Sequence, residues 1–213
     1  MIPIVRFFRK AASKDYLVAI VPALIWLVLS CAFRSQYIHP NIFSAFVLGI
    51  YKCFSLGYLP HPLYALAGFA LGARTGSVVA LQDALQWLSI IGGVGAVYIF
   101  SLVVMSIPGI RRHVAILATF VFGFSDYFWF YAMQPKPYAL AIFFAAVAIY
   151  SYFARSGRGT AFYALLGFQT AVCLGLTIGC AGMVPFFLVL IYWENKEVWR
   201  RSMTFLFYTA VAW

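Results

Sequence analysis

The sequence predicts an all-α integral membrane protein, a polytopic bundle of about six or seven spans. Three observations carry this. Of 213 residues, 65% are hydrophobic and only 9% are charged, against about a quarter charged in soluble domains. The apolar residues fall in long runs separated by short punctuated breaks, as spans in a bilayer require. The fifteen Lys and Arg sit mostly in every second break, the pattern left by cytoplasmic loops.

The chain opens with Arg6, Arg9, Lys10 and Lys14 before the first apolar run, Tyr16–Phe33. That run is longer than a signal-peptide core, and no small-x-small cleavage site closes it, so it reads as an uncleaved first helix. Later spans are predicted at Ala84–Ile107, His113–Phe130, Pro137–Ala154, Thr160–Gly179, Met183–Trp193 and Thr204–Trp213. The last two are short for a span of about 20 residues. The final run reaches Trp213 without a charged stop, which predicts continuation into a longer chain. No repeat, linker or low-complexity tract divides the sequence, so residues 1–213 read as a single transmembrane domain.

With the N-terminus in the cytoplasm, all but four of the basic residues fall inside: Arg34, Lys52, Arg74 and Lys136 lie outside. This satisfies the positive-inside rule at every cytoplasmic loop. It also explains the net charge of +10, with no nucleic-acid partner implied; membrane lipids are the first partner. Three unusual segments then share the outer side. The first is the stretch from Arg34 to Asp83. It contains NIFSAFVLGIYKCF, which reads as an interfacial helix, and GYLPHPLYALAG, whose prolines and histidine lead into a run too short to cross. The second is FSDYFWFYAMQPKPY. The third is the break GLTIGCAG.

In the second of these, Asp126 opens an aromatic belt and Lys136 stands between two prolines, which limit its mobility. A carboxylate at such depth needs a partner or the water boundary, so Asp126 reads either as a base or as the ion partner of Lys136. An unperturbed imidazole titrates near neutrality, so His61 reads either as a base or as a turn residue packed on tyrosine. Asp83 is expected to cap or flank the second span. The three histidines and four cysteines (Cys31, Cys53, Cys173, Cys180) show no metal spacing, and no cofactor is predicted.

The order of these elements resembles the GT-C membrane glycosyltransferases, in the bacterial branch related to protein O-mannosyltransferases. That branch carries a first-loop D-x-x-E, then H-P-P-G-Y-P-L-Y-x-L-x-G. Here Pro62-Leu63-Tyr64, Leu66 and Gly68 are kept, with Gly57-Tyr58 and His61 rearranged. A span with small residues is matched by LSIIGGVGAVYIFSLVV, and an S-x-x-F-W element by Ser125–Trp129. A-E-x-Y-A-L is matched by Pro135-Lys136-Pro137-Tyr138-Ala139-Leu140, and G-L-x-x-G-x-H by Gly175–Ala181. The acidic positions depart. The first-loop acid falls near Asn41 and Ile42, the glutamate is Lys136, and the terminal histidine is Ala181.

The resemblance implies a transferase in a bacterial cytoplasmic membrane that takes a sugar from a polyprenyl-phosphate donor. Such chemistry needs a base for the acceptor hydroxyl and cations for the departing phosphate. The candidates are Asp126 and His61 for the first. For the second they are Arg34, Lys52, Arg74 and Lys136, with Tyr64 and Tyr138 beside them. The four cations also fit a plain role as interfacial anchors. The missing acids leave a second reading open, a non-catalytic membrane subunit that packs against partner proteins or lipids. A transporter is a third, poorly supported by Gln82, Gln86 and Gln169.

Overall fold

The computed structural model describes residues 13–34, 63, 64, 66–68, 70, 77–154, 159–194 and 198–212. The described residues are helical with short connections and no strand. The elements are α1 (Ser13–Ala32), α2 (Val78–Ser106), α3 (Arg112–Gly123), α4 (Asp126–Ala132), α5 (Tyr138–Ala154), α6 (Thr160–Leu176), a 3-10 helix (Ile178–Gly182), α7 (Met183–Glu194) and α8 (Val198–Ala212). Residues 63, 64, 66–68 and 70 are also helical.

Among the described residues, two helices are long and apolar enough to cross a membrane: α1 and α2. At 29 residues, α2 is about 44 Å long, against a hydrocarbon core of about 30 Å. α3 and α4 pass the same test only together, across a 63° bend. A single span was expected over His113–Phe130, and the break has a local cause. Ser125 turns its hydroxyl back to the Phe122 carbonyl at 2.8 Å, and its extended backbone starts α4 as a separate helix. The helices α5, α6 and α7 are apolar but shorter.

α2 begins six residues before the expected span. Ser77 caps it by accepting from the Ala80 amide at 3.1 Å, as N-cap serines do. Asp83 therefore lies in the second turn of the helix and is not its cap. Between α2 and α3 the chain reverses in a β-turn, Ile110 N–H to Ile107 O at 3.3 Å. Pro108 and Gly109, at φ 85°, are the pair a type II turn favours.

Apolar burial draws no helix to another within lipid, so spans associate by close packing at small residues. α2 carries such a stripe. A Cβ on Gly92 would lie 2.7 Å from the Leu140 Cα of α5, and one on Gly93 2.3 Å from the Trp26 ring of α1. Gly95 seats against Phe143 in the same way. Farther along, Gly167 of α6 meets the Phe205 carbonyl of α8.

The two ends of the bundle differ. At one end Arg112 Nε reaches the buried Asp15 carboxylate at 3.0 Å. There Tyr16 and Tyr150 share a hydrogen bond of 2.9 Å, and Arg200 and Arg201 bond Thr160 and Tyr163 at the start of α6. At the other end meet the close of α1, the start of α2, α4, the start of α5 and the close of α6.

Candidate functional site

This second end carries a polar site on a long apolar helix. Asp83, Gln86 and Ser89 recur every third residue along α2, so they form one stripe. Arg34, just past α1, binds its upper part. It forms an ion pair with Asp83, donates to Gln86 Oε1 at 3.1 Å and lies 4.9 Å over the Trp87 ring. Gln86 is 6% exposed and passes the contact on, donating to the Met133 carbonyl at 2.7 Å.

Ser89 anchors the lower part. It is fully buried. Its Oγ accepts the Lys136 amide at 3.1 Å and donates to the Lys136 carbonyl at 2.7 Å. Tyr64, also fully buried, places its hydroxyl 3.1 Å from both Ser89 Oγ and the Leu85 carbonyl. Tyr64 packs with Leu81, Leu85, Ala141 and Leu176, and Leu63 fills the space beside Gly175 of α6. The first-loop motif, the Lys136 loop and the close of α6 thus converge on α2.

Lys136 points its ammonium over the rings of Tyr131, at 4.6 Å, and Phe130, at 5.6 Å. Tyr131 in turn meets Tyr138 edge-on at 4.9 Å. Partial burial in this aromatic setting lowers the Lys136 pKa from its ordinary value. Asp126 opens α4 and is exposed. Among the described residues it makes no ion pair with Lys136. It stands one turn before Phe130, the more distant of the two rings under Lys136.

The structure thus brings together Arg34, Tyr64, Lys136 and Tyr138 of the expected site. Asp126 is exposed at the start of α4, the helix whose Phe130 and Tyr131 lie under Lys136. His61, Lys52 and Arg74 lie outside the described residues. Asp83, Gln86 and Ser89 were underweighted in the sequence; their three-residue spacing is the signal that marks them. No cluster among the described residues could hold a metal ion.

Apolar helices of crossing length and a cation-bearing polar site at one end define an integral membrane protein. Residues 84–200 match the family model of the protein O-mannosyl-transferase TMEM260 N-terminal domain, and the chain belongs to that family. No curated protein and no solved structure matches the chain. The family match begins one residue past Asp83. It takes in Gln86, Ser89, Asp126, Lys136 and Tyr138.

Proposed function

We propose that the protein is a GT-C-like membrane glycosyltransferase that takes a sugar from a polyprenyl-phosphate donor. It would act in a bacterial cytoplasmic membrane with its N-terminus inside, through a bundle of six to seven spans. The observation that carries the reading is the Lys136 ammonium over Tyr131 and Phe130, in the helix that Asp126 opens.

In this reading Lys136 holds the donor phosphate, as a point charge whose loop is fixed by Ser89. Asp126 takes the proton from the acceptor hydroxyl. The acceptor oxygen attacks the anomeric carbon, the bond from that carbon to the phosphate oxygen breaks, and polyprenyl phosphate leaves. His61 is an alternative proton acceptor, and Lys52 and Arg74 are further phosphate contacts. Tyr64 supports the Ser89 anchor, and Tyr138 the aromatic surface. Arg34 serves more as a strut than as a clamp, because Asp83 already offsets its charge.

That internal neutralisation favours the second reading to one degree. With Arg34 spent on Asp83, a non-catalytic subunit that packs against partner proteins or lipids needs no further explanation of the pair. The deciding experiment gives purified protein a polyprenyl-phosphate sugar and measures binding and release of lipid phosphate. Turnover that is abolished by Asp126→Asn, with donor binding weakened roughly tenfold or more by Lys136→Ala, supports the enzyme. No binding at saturating donor leaves the subunit.

A further inference from the structure

α1 and α3 lie side by side and run the same way. Near the start of both, Arg112 Nε reaches the Asp15 carboxylate at 3.0 Å. Farther along, the Trp26 indole donates to the Gly123 carbonyl at 2.8 Å. Eleven residues separate the two contacts on each helix. The seam between them is therefore about 16 Å long, roughly half of a hydrocarbon core about 30 Å thick. It matches one leaflet. Helical spacing carries Lys14, Val18, Val21 and Ile25 along one edge of α1. Val18 packs with the cluster that holds Ala115 and Ile116 of α3, while Val21 and Ile25 are exposed. The seam thus offers apolar side chains at the depth of a lipid tail.

The head of the seam is cationic. Lys14, Arg111 and Arg112 are exposed there, and the buried Asp15 offsets one of these charges. Among the described residues no ion pair engages Lys14 or Arg111, and residues 1–12 contain no acid. The positive end of the α3 dipole adds to the excess. We propose that this seam holds one anionic glycerophospholipid, with its phosphate at Lys14 and Arg111 and an acyl chain against Val21 and Ile25. Arg112 stays with Asp15 and forms the floor under the headgroup. Charge selects the occupant, because a zwitterionic lipid brings its own cation to a site that already has too many. The seam opens at the end of the bundle opposite Lys136, so the proposal does not depend on donor chemistry.

The test uses the full chain purified in detergent. Dioleoylphosphatidylglycerol or dioleoylphosphatidylcholine is added at equal concentration, and retained lipid is counted by native mass spectrometry. The expected result is one phosphatidylglycerol held in preference to phosphatidylcholine. Lys14→Gln combined with Arg111→Gln should weaken that retention roughly tenfold or more, with the thermal midpoint unchanged. Arg200→Gln removes a cation at the same end that is engaged with Thr160, and should leave retention intact. Equal retention of the two lipids overturns the proposal. So does an equal loss in Arg200→Gln, which would mean diffuse attraction to the whole surface. Displacement of the lipid by glycerol phosphate would overturn it too, since a headgroup alone would then suffice without the seam.

Discussion

Trp26 donates its indole N–H to the Gly123 carbonyl at 2.8 Å, across 97 positions of chain. Gly123 is the last residue of α3, where helix carbonyls lose their own donors. The same indole stacks near Phe128 and Trp129 of α4 and lies against Gly93 of α2. One side chain of α1 therefore holds both sides of the bend. Trp26→Phe keeps an aromatic ring and strands the acceptor. It is expected to cost about 1–3 kcal/mol, read as a lower midpoint of thermal unfolding in detergent; an unchanged midpoint refutes the keystone role.

Ser89 is expected to matter more than a buried serine usually does, because it serves both backbone groups of Lys136. Ser89→Ala removes one partner from each, the amide keeping its bond to the Gln134 carbonyl at 2.7 Å, and should cost about 1 kcal/mol. If Lys136 binds donor phosphate, the variant should also weaken donor binding while the Lys136 side chain is intact. Binding equal to wild type would separate the loop's position from ligand capture.

Gly92 tests the close approach of α2 and α5. The obstacle to a Cβ there is the Leu140 backbone, 2.7 Å away, which cannot rotate aside. Gly92→Ala should force the helices apart and cost about 1–3 kcal/mol. At Gly109 a Cβ meets nothing within 4 Å, so Gly109→Ala tests only its positive φ. Gly92→Ala with no loss of stability would contradict the packing.

Lys136 gives a pH dependence of definite sign. Its folded-state pKa is lowered from 10.5 by desolvation. At lower pH both folded and unfolded chains carry the proton, and the folded chain bears the cost of a desolvated charge. As pH rises from the lowered value towards 10.5, the folded chain releases its proton while the unfolded chain keeps it. Stability therefore rises across that window. Binding of an anionic donor moves oppositely and declines as Lys136 loses charge. Lys136→Arg, which stays charged, should hold binding to higher pH. Parallel profiles for the two proteins would exclude Lys136 as the phosphate cation.

Much of the helix order was legible because Gly, Pro and charge punctuate the apolar runs. Tyr138–Ala154 and the start of α6 at Thr160 lie within a residue of expectation, and the break at GLTIGCAG is the 3-10 helix. The bend between α3 and α4 was not legible. It lies inside an apolar run and depends on a serine hydroxyl turning back and on Trp26, far away in sequence. The start of α2 was missed for a related reason: Ser77 acts through a cap, which hydropathy does not register. In the site, Lys136 stood out by its proline neighbours and Tyr64 by the first-loop motif. Gln86 and Ser89 did not, since their spacing marks a stripe but their partners, Met133 and Lys136, come from distant chain.

The length of α2 sets a depth scale. It exceeds the hydrocarbon by about 14 Å, or roughly nine residues. If that overhang lies at its N-terminal end, residues 78–86 stand among lipid headgroups and Ser89 lies just beneath them. Arg34, Asp83 and Gln86 then occupy the layer where the phosphate of any membrane lipid floats, and Lys136, pinned at Ser89, marks its floor. A lipid-borne phosphate such as the proposed donor's would enter sideways from the leaflet at its natural height, with its tail still dissolved among its neighbours.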